Sequence, residues 1–109
     1  MSDVPEALSD AAIAGHLASL PGWVRAGDEI TRTFRHTYHE CVHVMLYVAA
    51  RAEELGHHPD MHLTWQRVRF VITTHDAGNK LTVADFELAR HIDAIAAARG
   101  ATPVEQELP

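Results

Sequence analysis

Two long stretches of this chain carry apolar residues at intervals of three and four, and the short stretches between them alternate. From Tyr38 to Leu55 the residues Tyr38, Cys41, Val42, Met45, Val48, Ala49, Ala52 and Leu55 form one apolar face at helical spacing. Gly56 then serves as a C-cap, and Pro59 forbids continuation. The second long helix is predicted over residues 82–99: Thr82 caps it, Asp85 supplies the carboxylate of a capping box, Leu81 staples to Phe86, and Gly100 ends it. A shorter helix opens at Ser9, with Leu8 positioned to staple against Ile13. Its stripe of Ile13, Leu17 and Leu20 stops at Pro21-Gly22.

The alternating stretches read as strands. Residues 23–25 and 29–35 flank Ala26-Gly27-Asp28 as a hairpin, with Ile30 and Phe34 on one side. Residues 61–64 and 67–74 form a second pair, in which Val68, Phe70 and Ile72 alternate with Arg69, Val71 and Thr73. A turn-rich loop follows over residues 76–80. Helix, two strands, helix, two strands, helix is an α+β order. Hairpins in place of crossovers predict a four-stranded antiparallel sheet with the helices packed on one face. The chain is expected to form a single domain over residues 1–109, with 1–7 and 101–109 as flexible tails.

Composition adds boundaries. The 109 residues suit one core, and 47% apolar with 22% charged is ordinary for a globular protein. A net charge of −6 without any Lys/Arg run argues against a nucleic-acid partner. Cys41 is the sole cysteine, which excludes an intrachain disulfide and a Cys-based zinc site. It falls at an apolar helical position and is expected in the core. No apolar run approaches the roughly 20 residues that span a bilayer, and no basic-then-apolar leader opens the chain. A cytoplasmic protein without membrane contact is expected. A small core and exposed sheet edges favour a homodimer or homotetramer.

The candidate chemistry sits at the ends of these elements. Glu53, Gly56, His57, His58, Pro59 and Asp60 straddle the end of the central helix, and Thr74-His75-Asp76 follow the last strand. Histidine alone has an unperturbed pKa near neutrality, so three of them suit a site that gives and takes protons. Glu53 lies one turn before His57 and can project from the same side of the helix end. The partial negative charge of that helix end favours a cation just beyond it. Adjacent His57 and His58 do not easily aim at one ion, and the i, i+4 pair His39 and His43 has no evident third ligand; no metal is expected. His16, His36, His39, His43, His62 and His91 read as ordinary surface residues, and Trp23 as core.

From Leu17 to Ile95 the chain resembles the pterin-4a-carbinolamine dehydratase family. The resemblance rests on Gly22-Trp23, on Ala52-Glu53-x-x-x-His57-His58-Pro59-Asp60, on Thr74-His75-Asp76, and on Leu81-Thr82-x-x-Asp85 with Leu88-Ala89. Trp65 stands where the family usually has Tyr, Gly56 where it has Asp or Asn, and His36 where an aromatic is common. None of these removes a presumed catalytic group. The resemblance implies a hydro-lyase that takes water from 4a-hydroxytetrahydropterin, giving quinonoid dihydropterin, with no cofactor. It places His57, His58, His75 and Glu53 in catalysis, and Gly56, Thr73, Thr74, Asp76 and Asp85 against the pterin. Members of the family also act as a dimerisation cofactor for a homeodomain transcription factor, and related proteins are associated with assembly of a carbon-fixing enzyme. A dehydratase-like binding or assembly protein without turnover is therefore the alternative. The intact Glu53, His57, His58 and His75 set favours catalysis, since a scaffold has no physical need for it.

Overall fold

Side chains supplied by the sequence start each helix. The computed structural model describes residues 6–105. Its helices are α1 (Asp10–Ala18), α2 (Tyr38–Leu55) and α3 (Val83–Ala98). Ser9 Oγ accepts from the Ala12 amide at 3.1 Å, Thr37 Oγ1 from Glu40 at 3.3 Å, and Thr82 Oγ1 from Ala84 at 3.2 Å. Thr82 and Asp85 complete the capping box. Each cap is worth about 1 kcal/mol. α2 stops because Gly56 adopts φ 66°, a left-handed conformation open to glycine, and its amide turns back to Glu53 O at 3.3 Å.

The strands are β1 (Val24–Ala26), β2 (Glu29–Arg35), β3 (Asp60–Thr64), β4 (Arg67–Ile72) and β5 (Thr102–Val104). They form one antiparallel sheet in the order β1-β2-β4-β3, with β5 also on β2. The fold class is the expected α+β, but the sheet has five strands rather than four. Gly100, at φ 78°, reverses the chain after α3, and the Ala101 amide bonds Ala96 O at 2.9 Å. The chain then runs along Arg35, Phe34 and Thr33, the part of β2 that β1 leaves unpaired. Pro103 masks this strand in the sequence, yet an edge tolerates its missing N–H. The expected C-terminal tail is thereby corrected over residues 101–104; residues 1–5 and 106–109 of the two expected tails lie outside the described residues.

Strand parity puts Ile30, Phe34, Val68, Phe70 and Ile72 on one sheet face, all buried, beneath the three helices. The α2 stripe is rotated from its expected position: Cys41, Val44, Val48 and Ala52 are buried, whereas Tyr38, Val42 and Leu55 are exposed. The helix carries more apolar residues than one face can bury, so periodicity gave the period without the centre. Cys41 and Trp23 are in the core as expected, Trp23 donating from Nε1 to Asp93 at 2.9 Å. Among the described residues no helix is long and apolar enough to cross a membrane.

Candidate active site

The end of α2 and the segment after β4 meet over the start of α3, and this junction brings the histidines together. Gly56, His57, His58, Thr74, His75 and Asp76 line a cleft of about 120 Å³. Roomier clefts exist, including one of about 550 Å³ beside Pro21 and Pro103, but they contain no histidine. The titratable rings, not the volume, mark the junction.

Asp85 anchors the site from below. Its side chain is 0% exposed, and a buried carboxylate needs partners for both oxygens. Oδ1 lies 2.6 Å from His57 Nε2. Oδ2 accepts from the Thr82 amide and from Thr74 Oγ1, each at 2.8 Å. Because Thr74 gives its one hydroxyl hydrogen to Asp85, Thr82 Oγ1 donates to Thr74 Oγ1 at 2.8 Å and accepts from Ala84. The network is complete. An ionised carboxylate only accepts, so His57 carries a hydrogen on Nε2 and leaves Nδ1 unengaged.

The other two rings are held at the surface. His75 Nδ1 sits 2.6 Å from Asn79 Oδ1, which puts its hydrogen on Nδ1 and leaves Nε2 open. Asn79 holds this position at φ 61°, a left-handed conformation that asparagine tolerates, behind the one-turn 3-10 segment His75–Ala77. His58 Nε2 bonds Glu53 Oε1 at 2.8 Å, with both side chains more than half exposed. Each of the three rings thus commits one nitrogen to an oxygen and, among the described residues, keeps the other. Among the described residues no three His, Cys, Asp or Glu side chains converge as a metal-ligand set.

The cleft gathers His57, His58, His75, Gly56, Thr74 and Asp76 of the residues singled out from the sequence. Glu53 partners His58, not His57; an exposed side chain at a helix end bonds whichever ring reaches it. Thr73 turns away, its hydroxyl donating to Asp28 O at 2.7 Å, because strand alternation sends it opposite to Thr74. Asp85 lies beneath the cleft rather than in its lining. Sequence reading missed Asn79 and the Thr82 hydroxyl. The capping box pointed to Thr82; a polar turn residue four positions after His75 is too weak a signal to single out Asn79.

Residues 6–95 match the family model described as pterin 4 alpha carbinolamine dehydratase. A Nocardia farcinica protein named for this dehydratase is 46% identical over 92 residues, covering 84% of this chain and 96% of its own. One from Roseiflexus castenholzii, named likewise, is 44% identical over 89 residues, covering 81% and 95%. The crystal structure of a "transcriptional coactivator/pterin dehydratase" from Brucella melitensis superposes with a TM-score of 0.77 at 31% identity, covering 83% of this chain and 98% of that one. The match extends through the capping box and the histidine junction alike, and the chain belongs to the pterin 4 alpha carbinolamine dehydratase family.

Proposed function

We propose that this chain dehydrates 4a-hydroxytetrahydropterins to quinonoid dihydropterins by general acid–base catalysis at the histidine cleft. The observation that carries the reading is the division of labour among the rings, each anchored through one nitrogen with the other left open. In the reaction the N5 lone pair expels the 4a-hydroxyl, an acid protonates it as the C–O bond breaks, and the N5 proton leaves. Water and quinonoid dihydropterin result. A positioned acid or base contributes roughly 10²–10⁴ in rate. The Asp85 carboxylate behind His57 balances a positive ring during transfer, whereas the neutral Asn79 amide behind His75 offers no such balance. His57 is accordingly assigned as acid and His75 as base, with His58 as a second proton-handling group that Glu53 orients. Gly56, Thr74 and Asp76 border the ring edge, while Asp85 acts through His57 and Thr74, which it holds, and Thr73 bonds away from the cleft.

A second reading, a dehydratase-like binding protein, draws support from the exposed apolar residues Tyr38, Val42 and Leu46 on α2 and from the Brucella protein, which is named a transcriptional coactivator as well as a dehydratase. The same helix face is where a homodimer or homotetramer would form. Freshly generated 4a-hydroxytetrahydropterin separates the readings: dehydration above the spontaneous rate, undiminished by chelator, is expected. A catalysed rate of zero would leave only the binding protein.

A further inference from the structure

The sheet face away from the helices carries a charge pattern that dehydration does not use. Arg25, Arg32, Arg51, Lys80 and Arg99 each pair with a carboxylate. Among the described residues Arg35, Arg67, Arg69 and Arg90 appear in no ion pair; Arg90 lies on α3, and strand parity puts the other three on this open face. Arg35 and Arg67 are direct cross-strand partners, an arrangement of like charges that destabilises a sheet. Among the described residues Arg35 Nη2 reaches only the Gln66 amide oxygen, at 3.4 Å. The Asp60 carboxylate stands opposite Val71, a row past Arg69. In a chain of net charge −6 this concentration of unpartnered guanidinium groups runs against the overall balance.

Trp65 stands beside them at the β3–β4 turn with two further costs. It is 75% exposed, the most of the large apolar side chains, and its φ of +32° lies in the left-handed region that a bulky aromatic avoids. Backbone strain of this kind collects at ligand sites. Arg35, Thr64, Trp65, Gln66 and Arg67 line one cleft of about 300 Å³, within the range of small-molecule sites. Forked guanidinium pairs suit phosphate, and an exposed indole suits stacking on a flat ring.

From this juxtaposition we infer that the open face binds a free mononucleotide, its phosphate on Arg35 and Arg67 and its base against Trp65. Adenosine monophosphate is the probe, read by tryptophan fluorescence, since Trp23 is buried and Trp65 is not. Saturable quenching is expected, weakened at least tenfold by Arg35→Gln with Arg67→Gln, and at least tenfold for adenosine or inorganic phosphate alone. Turnover of the carbinolamine stays unchanged in that variant. Trp65→Gly should melt higher yet bind more weakly by calorimetry, a split that a purely structural turn residue would not give. Unchanged affinity in the double variant, equal affinity for inorganic phosphate, or a single-stranded oligonucleotide held more than tenfold tighter than the monophosphate overturns the inference.

Discussion

Replacing Asp85 separates the two duties of its carboxylate, holding the fold and holding His57. The side chain is 0% exposed and accepts from His57 Nε2 at 2.6 Å, Thr74 Oγ1 at 2.8 Å and the Thr82 amide at 2.8 Å. Asp85→Ala strands three donors. At about 1–3 kcal/mol for each buried orphan, less what water and relaxation recover, the loss is about 3–5 kcal/mol, the scale of breaking a buried charged pair. That is a large share of the roughly 5–15 kcal/mol a domain possesses, and melting should fall by about 15–25 °C. Asp85→Asn is milder. Its amide oxygen can still accept from Thr82 and Thr74, while its NH₂ must face His57 Nε2 and make that nitrogen an acceptor. The ring hydrogen then moves to Nδ1. Stability should drop by about 1–2 kcal/mol, yet turnover should fall by roughly 10²–10⁴, the scale of a positioned acid, because an NH₂ facing Nε2 bars the doubly protonated ring that the acid needs. Thermal melts, carbinolamine dehydration and ¹⁵N shifts of His57 read the three effects separately. An Asn variant that keeps its hydrogen on Nε2 and turns over at the parent rate would refute the role of Asp85.

Glu53→Gln should lower turnover less than tenfold, since its bond to His58 is exposed and such pairs are worth under about 1 kcal/mol; a loss beyond 10² would place Glu53 in the chemistry. The Arg99 guanidinium, bonded to Glu40 at 2.8 Å, holds that carboxyl below its ordinary value, with burial opposing and His43 assisting. A depressed carboxyl stabilises the fold above its unfolded pKa and loses the contribution as pH falls through its folded one. The melting gap between the parent and Glu40→Gln should therefore shrink from pH 7 to pH 3, and a constant gap would contradict this. Burial raises the Cys41 thiol, so disulfide reagents should react with it only on unfolding; rapid modification of the native chain would contradict its placement.

The elements with local signals are legible in the sequence. α2 ends where Gly56 and Pro59 end it, α3 starts at the capping box of Thr82 and Asp85, and the paired strands follow their alternation. What escaped depends on tertiary placement. β5 has no strand pattern of its own and exists because β1 leaves half of β2 open. The α2 stripe could not be centred, since Val44 and Val42 are equally apolar and only packing chooses between them. At the cleft, the histidines were legible from their position at element ends, but their partners were not. Glu53 stood nearer His57 in sequence, whereas Asp85 reaches it across 28 positions. Asp85 was visible as a cap; its second oxygen acquired a further duty only when α3 met the end of α2.

The central claim is that the histidine junction dehydrates the carbinolamine, and the catalysed rate of His57→Ala and His75→Ala tests it most directly. The spontaneous reaction is subtracted, and His39→Ala serves as a control on an exposed ring outside the cleft. Each cleft variant should fold and lose roughly 10² or more in rate, the scale of one positioned acid or base, while the control keeps its turnover. Parent-level rates in both folded cleft variants would contradict the account.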